Sequence, residues 1–364
     1  MPKKIAASIL GVMLLLALCA PAVSAFETGP APQDFCPLEL ELDMMRRGLA
    51  NVNVFTDGLL VLQGGKIIYE RYAPGWGRDT PHRMYSVTKS IVSALVGIAI
   101  GEKKIESVKQ KVAEFYPDAT IAPGQECKLD MTIEHLLTHS SGLPGDSDSS
   151  DAAWWDAPDS GRAAFEMPQA AAPGERYAYS SGPGMQALGG LLSRAVGMDL
   201  FDYAKLKLFG PLGMDSVTWD TAAGDGRNYG GFGIAMTPED MLRFGILLLN
   251  DGVWEGKRII PSEYIKAAHP PSPNRDNYGY LFRSYSDSPG YEDALRAAGF
   301  FGQFICILPE QDMVIVRTGS AGPVVKTVIG AALGNEIANW LFMHIIYPIA
   351  PLHGVPLRYF METM

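Results

Sequence analysis

A serine and a lysine three residues apart, Ser86 and Lys89, stand at the start of an apolar run of this sequence. If the run is helical, both residues lie on one face, and the lysine ammonium can reach the serine hydroxyl. A serine hydroxyl is a weak nucleophile unless a neighbouring group takes its proton. The pair therefore indicates nucleophilic chemistry, although an ordinary capped helix with a surface lysine shows the same spacing.

The elements around this pair are predicted to hold it rigidly. The run from Ile91 to Ile100 is apolar on almost every side and ends at Gly101, which predicts a buried helix. A serine at the start of such a helix is held firmly, and its backbone N–H groups and dipole favour negative charge there. Lys89 would then lie one turn into the protein.

Other segments alternate between strand and helix patterns. Strand hairpins are predicted over 59–72, around Gly64 and Gly65, and over 299–318. Thr132 is expected to cap a short helix, and Thr237 to cap another. Further helices are predicted over 38–50, 185–196, 200–209 (closed by Gly210 and Pro211), 238–249, 261–268 and 325–343.

This order of elements predicts an α+β fold. We expect an antiparallel sheet built from both chain termini, flanked by helices, with an all-helical lobe inserted. The sheet lobe would comprise 26–85 and about 275–364, and the helical lobe 86–274. Within the helical lobe, the polar segment 145–174 carries Trp154 and Trp155. It is interpreted either as a lid that binds substrate or as a loop packed onto the body.

Composition and charge narrow the function classes. The chain has 364 residues, 47% hydrophobic and 19% charged, with a net charge of −10. This acidity argues against nucleic acid or an anionic membrane surface as a partner. No spacing of His, Cys, Asp or Glu indicates a metal site, and we expect neither a metal nor another cofactor.

The first residues have the pattern of a secretory signal peptide. Lys3 and Lys4 precede an apolar stretch over 9–18, and small residues end at Ala25. We expect cleavage after Ala25, a secreted or periplasmic protein, and no membrane span in the mature chain. A lipoprotein signal at Cys19 and a retained N-terminal anchor are the alternatives.

Three cysteines remain after the signal. Cys306 lies in an apolar run and is predicted to be a buried free thiol. Cys36 and Cys127 flank polar segments and would be free to pair in an oxidising compartment. The sequence leaves that pairing open.

The order of motifs resembles the serine β-lactamase and penicillin-binding protein superfamily, in particular its class C-like branch. Ser86 and Lys89 match the first motif of that superfamily, Ser-x-x-Lys. The stretches Thr132–Pro144 and Met236–Gly256 match two further segments of the branch. Within the branch, the chain resembles the esterase and 6-aminohexanoate-dimer hydrolase members, and the resemblance to the branch covers nearly the whole mature chain.

The resemblance assigns roles to a second motif, which usually reads Tyr-x-Asn. Tyr179 aligns with the catalytic tyrosine, which implies that its oxygen accepts the proton of Ser86 and later gives it to the leaving group. Ser181 stands where the branch has asparagine, a side chain that contacts the substrate amide. This departure shortens the expected substrate contact.

The third motif, Lys-Thr-Gly, is altered. The matching residues are Ala297, Ala298 and Gly299, so the lysine that helps anchor a substrate carboxylate is missing, unless Arg296 replaces it. Gly299 implies close passage of substrate along the strand. The resemblance implies an oxyanion hole formed by the backbone N–H groups of Ser86 and Phe300.

Together these residues predict a secreted serine hydrolase that cleaves a small-molecule ester or amide through an acyl-enzyme on Ser86. Two alternatives stay open. One is a β-lactamase or DD-peptidase, which the altered third motif disfavours. The other is a non-catalytic binding protein with the same fold. The histidines, including His139, are expected to be structural, and the sequence leaves the natural substrate and the oligomeric state open.

Overall fold

The protein is described by a computed structural model over residues 54–148, 153–270, 278–284 and 291–321. The strands are β1 (Val54–Gln63), β2 (Lys66–Tyr72), β3 (His82–Arg83), β4 (Thr218–Trp219), β5 (Ile234–Met236), β6 (Val253–Trp254), β7 (Lys257–Arg258), β8 (Arg283–Ser284), β9 (Leu295–Gly299), β10 (Gln303–Leu308) and β11 (Met313–Ala321). The helices are α1 (Val87–Gly101), α2 (Ile133–Leu137), α3 (Ser160–Glu166), α4 (Pro183–Val196), α5 (Leu200–Ala204), α6 (Gly210–Leu212), α7 (Pro238–Leu249) and α8 (Ser262–Ala268).

Six strands form the main sheet in the order β2-β1-β11-β10-β9-β8, with every neighbouring pair antiparallel. Strands from the beginning and the end of the described chain thus meet at the centre, where Leu60 pairs with Val316. The predicted α+β class, with an antiparallel sheet drawn from both chain ends and helices between, is confirmed. The hairpin of β1 and β2 turns at Gly64 and Gly65, both with positive φ, as expected.

The second predicted hairpin is wrong at its first strand. Gly299 ends β9, and β10 begins only at Gln303. Between them, Phe301 has φ 60° and Gly302 has φ 75°, a left-handed backbone that a strand cannot contain. The chain therefore makes a separate turn at Phe300–Gly302, and this turn lies beside the predicted nucleophile.

Helix α1 lies in the core, as its composition predicts, and every residue from Val87 to Ala99 is buried. Helix α7 packs against the sheet, where a Cβ on Gly245 would lie 2.5 Å from the side chain of Val314. The apolar face of the sheet and these helices thus form one core around the element that carries Ser86.

Predicted caps are observed at two helices. Thr132 accepts a hydrogen bond from the His135 N–H, and Thr237 accepts one from the Asp240 N–H. Helix α4 ends at Gly197, which has φ 72°, in accord with the predicted stop.

The predicted end of the helix at Gly210 and Pro211 is wrong. After α5 the chain forms a π-helical turn over Lys205–Phe209 and continues through α6 to Gly213. The wider π-helical turn accommodates Pro211, whose ring and missing N–H would break a regular α-helix at that position.

Several predictions lie outside the described residues: the signal peptide, the helices over 38–50 and 325–343, and Cys36. Cys127 is a free, exposed thiol, and Cys306 is a free, buried one, as expected. Burial raises the pKa of the Cys306 thiol to about 12. Within the described ranges, no helix combines the length and apolar composition that crossing a membrane requires.

Candidate active site

Ser86 stands at the N-terminal cap of α1, at the end of a sharp turn. Tyr85, the residue before it, has φ 49°, a conformation that costs a non-glycine residue free energy and often marks functional sites. The Val87 N–H donates to the Met84 carbonyl, and the Lys89 N–H donates to the Ser86 carbonyl. These two backbone hydrogen bonds fix Ser86 at the N-terminus of the buried helix.

Lys89 is 1% exposed and its ammonium makes three hydrogen bonds. It donates to Ser86 Oγ at 3.0 Å, to Ser181 Oγ at 3.0 Å and to the Gly231 carbonyl at 2.9 Å. All three donors of the ammonium are therefore used, and the group points at the serine hydroxyl. The predicted Ser86–Lys89 contact is present.

The segment 231–234 also contacts the residues around Ser86. The Gly231 carbonyl accepts a hydrogen bond from Lys89, and the Ile234 carbonyl accepts one from the Met84 N–H at 2.8 Å. The Ile234 N–H donates to Thr88 Oγ1 at 3.3 Å. Residues 231–234 thus hold the chain both before and after Ser86.

Tyr179 lies in the same cluster. Lys89 Nζ is 4.8 Å from the centre of the Tyr179 ring. The ring also contacts His139, at 4.6 Å between ring centres, and Tyr278 at 6.3 Å. The structure therefore brings the predicted proton acceptor to the lysine that contacts Ser86.

His139 supports the Tyr179 segment from within the core. It is 2% exposed, and its Nδ1 accepts a hydrogen bond from the Ser180 N–H at 3.3 Å. Burial, and then the nearby Lys89 charge, hold the pKa of His139 well below its ordinary value. A neutral imidazole that accepts a backbone N–H is a structural element, as the sequence predicts.

Ser181 fills the asparagine position of the motif and still meets Lys89. Its N–H donates to Asp146 Oδ1 at 2.6 Å, and this contact holds the backbone at the point where the side chain turns inward. The Oγ atom accepts from the ammonium, so the hydroxyl orients the lysine.

The sheet approaches Ser86 through its backbone. A Cβ on Gly299 would lie 2.2 Å from the Met84 carbonyl and 3.3 Å from the Ser86 nitrogen, so only glycine fits. Phe300, the next residue, is 45% exposed, and its ring meets Tyr85 edge to face at 6.0 Å. The end of β9 is thus in contact with the turn before the serine.

Arg296 does not extend to the protein surface. It is 4% exposed, and its guanidinium lies 4.9 Å from the centre of the Phe304 ring. With alanines at positions 297 and 298, this part of β9 presents no exposed cation for a substrate carboxylate.

The two predicted tryptophans occupy different environments. Trp154 is 3% exposed and packs beneath Gly182, whereas Trp155 is partly exposed. Trp155 contacts Tyr229 at 5.0 Å and Phe232 at 5.4 Å between ring centres. Trp154 therefore supports this aromatic cluster from below, and Trp155 lies in it with Tyr229 and Phe232, all three partly exposed.

Sequence reasoning missed three residues of the site. Gly231 contributes its carbonyl, and a Cβ there would lie 2.2 Å from the Ser181 carbonyl. Tyr278 is buried against Tyr179, and burial raises its pKa well above the ordinary value. Asp146 accepts from Ser181. The double glycine at 230–231 was a usable signal, because paired glycines often mark close backbone contacts.

Comparison with known proteins agrees with these motifs. A family model described as beta-lactamase matches residues 43–327, more than three quarters of the chain. Esterase EstB of Burkholderia gladioli is 30% identical over 296 residues, which cover 72% of this chain and 71% of that protein. The 6-aminohexanoate-dimer hydrolase of Paenarthrobacter ureafaciens is 23% identical over 287 residues, covering 73% and 72%.

Solved structures share the fold. A penicillin-binding protein homologue from Caulobacter crescentus superimposes with a TM-score of 0.64 at 18% identity, covering 86% of this chain and 98% of the homologue. The resemblance inferred from the motifs is therefore confirmed. The chain belongs to the beta-lactamase family and is a serine hydrolase of that family.

Proposed function

We propose that this protein is a secreted carboxylesterase or small-amide hydrolase that works through an acyl-enzyme on Ser86. The observation that carries the proposal is the position of the buried Lys89 ammonium, 3.0 Å from Ser86 Oγ and close to the ring of Tyr179. A nucleophile, a group beside it that handles its proton, and a rigid helix start are the parts that acyl transfer needs.

In the proposed reaction, Ser86 Oγ attacks the substrate carbonyl carbon while its proton passes to the Tyr179 oxygen. The carbonyl oxygen becomes negative and is held by the N–H groups of Ser86 and Phe300. The bond to the leaving group breaks, and that group takes the proton from Tyr179. Water then attacks the acyl-enzyme and gives a proton to the Tyr179 oxygen, which passes it to Ser86 Oγ as the acid is released.

The environment of Ser86 favours neutral, apolar substrates. Ala297 and Ala298 replace the residues that help bind a carboxylate in β-lactam-recognising relatives, and Arg296 is buried. Trp155, Tyr229 and Phe232 form an aromatic cluster that begins next to Gly231, the residue bound to Lys89. Two similar proteins, named esterase EstB and 6-aminohexanoate-dimer hydrolase, support the proposal that an ester or amide is cleaved.

Intact-mass spectrometry tests the proposal. The protein is incubated with a fluorophosphonate, a p-nitrophenyl ester and a penicillin in parallel, and we expect an adduct with the first, turnover of the second and no stable adduct with the third. Ser86→Ala should abolish labelling and turnover. Ser90→Ala is the matched control, because Ser90 lies on the same buried helix but donates to the Leu281 carbonyl.

Other outcomes point to the alternatives. A stable penicillin adduct on Ser86 would indicate cell-wall or β-lactam chemistry. A folded protein that no probe acylates would indicate a binding protein. Activity that survives in Ser86→Ala would contradict the proposal outright.

We propose that the enzyme is exported, with a mature chain over 26–364. The support is the charged and apolar pattern that ends at Ala25. The N-terminal sequence of protein recovered from the extracytoplasmic fraction should begin at Phe26, and full-length protein confined to the cytoplasm would contradict export.

A further inference from the structure

A buried arginine holds the turn that follows β9. Arg317, on β11, is 0% exposed. Its Nη1 donates to the carbonyl of Phe301 at 2.9 Å and to that of Gly302 at 2.6 Å. Both carbonyls belong to the turn at Phe300–Gly302. The guanidinium therefore holds the 301–302 and 302–303 peptide units, which begin one residue after Phe300.

The other end of the same guanidinium is anchored on β1. Nε donates to Thr56 Oγ1 at 3.2 Å, and Nη2 donates to Thr56 Oγ1 at 3.0 Å and to the Phe55 carbonyl at 3.3 Å. Burial lowers the pKa of Arg317 to about 10, so the side chain stays charged at neutral pH. A planar, charged fork that satisfies several carbonyls at once is a rigid connector.

The turn is shaped around this arginine. A Cβ on Gly302 would lie 1.9 Å from Arg317 Nη1, so the contact requires glycine. Gln303 adds a second clamp, because its side chain accepts from the Gly319 N–H and donates to the Gly319 carbonyl. Gln303 is 1% exposed, so both clamps are internal.

The turn needs such support. Phe301 is a non-glycine residue with φ 60°, a conformation that persists only where surrounding contacts enforce it. The Phe300 side chain is 45% exposed and its ring contacts Tyr85 and Phe301, so it is not held in the core. Without the clamps, the peptide that carries the Phe300 N–H would be free to relax away from the Ser86 turn.

We propose that Arg317 is a positioning residue that holds the Phe300 N–H at the oxyanion site. This inference rests on the proposed function, since it assigns to that N–H the stabilisation of the substrate oxyanion. Arg317 acts through backbone carbonyls and touches no substrate. Removing it displaces a donor whose placement determines the rate, while Ser86, Lys89 and Tyr179 remain in position.

The test compares an ester with its thionoester analogue. Replacing the carbonyl oxygen by the larger sulfur, a weaker hydrogen-bond acceptor, makes a substrate that depends little on oxyanion donors. In Arg317→Met we expect kcat for the p-nitrophenyl ester to fall about 10-fold to 100-fold, with KM little changed. The thionoester rate should fall much less, so the ester-to-thionoester ratio shrinks. Arg317→Lys, which keeps the charge but has one donor nitrogen in place of three, should recover part of the ratio.

The matched control is Arg243→Met. Arg243 is also buried, at 6% exposed, and also donates to two backbone carbonyls, those of Leu212 and Gly213. It lies on α7, away from the turn, so its loss should lower the melting temperature and leave the ratio unchanged. If Arg317→Met does not fold, Thr56→Val removes the shared acceptor on β1 and should produce a smaller decrease of the same ratio.

The outcomes separate the two claims. Suppose the wild type is active and folded Arg317→Met has the same ester-to-thionoester ratio. This result overturns the role of Arg317 and leaves the proposed function intact. If Arg317→Met does not fold, an unchanged ratio in Thr56→Val has the same meaning. A wild type that neither the ester nor a fluorophosphonate acylates overturns the proposed function, and this inference with it. An equal decrease of the ratio in Arg243→Met overturns the assignment to the turn.

Discussion

The two sides of Ser86 are built by different means. On the helical side, Lys89, Tyr179 and Ser181 contribute side chains that meet within hydrogen-bond or ring contact. On the sheet side, Gly299 and Phe300 contribute backbone, and the nearest approach depends on the absence of a Cβ at Gly299. The helical side therefore depends on which side chains are present, and the sheet side depends on the space that the missing Cβ of Gly299 leaves.

Because of this difference, we expect the two sides to lose activity in different ways. The Lys89 ammonium is lost when that one side chain is removed. The Phe300 N–H belongs to the backbone, so a substitution can remove it from the site only by displacing the chain. The helical side should thus fail through truncation at constant fold. The sheet side should fail through addition of atoms, or through loss of distant supports.

The largest expected effect is on the helical side. Lys89→Met removes the ammonium at Ser86 and should lower kcat/KM for a p-nitrophenyl ester by about 1,000-fold, as loss of a proton-handling group does. The matched control is Lys128→Met. Lys128 is equally buried, at 1% exposed, and donates to the Met167 carbonyl, and burial lowers its pKa to about 8. Lys128→Met should lower the stability and leave kcat/KM unchanged. An equal loss of activity in Lys128→Met would show that the effect of Lys89→Met is not specific to the contact with Ser86.

The second-largest decrease in kcat is expected on the sheet side, where Gly299→Ala adds one methyl group. In Gly299→Ala, the Cβ cannot stay 2.2 Å from the Met84 carbonyl, so β9 must move away from Ser86. We expect kcat to fall about 100-fold, while fluorophosphonate labelling persists at a slower rate. Gly245→Ala meets Val314 at 2.5 Å between α7 and the sheet and should lower the melting temperature without this rate loss. A fully active Gly299→Ala would show that the close approach is unnecessary.

A smaller effect sharpens the account of the helical side. Ser181→Ala removes one of three acceptors of the Lys89 ammonium. Hydrogen bonds to charged groups contribute about 1.5–3 kcal/mol, and because two other acceptors remain, we expect the lower end of this range, a roughly 10-fold decrease of kcat. Steady-state kinetics at fixed pH measures it. Ser181→Asn restores the residue usual in the branch and should keep more activity than alanine; the reverse order would argue against a contact role for position 181.

The smallest effect concerns stability below neutral pH. His139 is held neutral in the folded state by burial, so its pKa lies well below the 6.5 of an unperturbed histidine. As pH falls below about 6.5, the unfolded chain binds a proton that the folded one does not, and folding becomes less favourable by up to about 1.4 kcal/mol per pH unit.

Urea unfolding between pH 7.5 and 5 measures this slope. His139→Gln should reduce the slope while it weakens the contact to the Ser180 N–H. An unchanged slope would mean that another group accounts for the acid sensitivity.

Much of the fold was predictable because its signals are local. The hairpin at Gly64 and Gly65 depends on two consecutive residues that accept positive φ. The caps at Thr132 and Thr237 need only a side-chain oxygen at the start of a helix. The errors arose where distant contacts override local preference, as in the π-helical turn before Pro211 and the separate turn at Phe300–Gly302.

The reactive groups of this site could be identified from the amino-acid sequence. It placed a serine and a lysine three residues apart on a buried helix, a tyrosine in a recognisable motif, and a glycine where the sheet must come close. These features are local in the chain or carried by its resemblance to a family, so the residue string alone contains them.

The contacts that these residues make depend on the tertiary structure. The Gly231 carbonyl is 142 positions from Lys89 along the chain, and Arg317 is 261 positions from Thr56, yet each pair is in contact. Such contacts depend on how strands from both chain ends assemble around one core. No local pattern encodes that assembly, because it is the sum of many packing interactions.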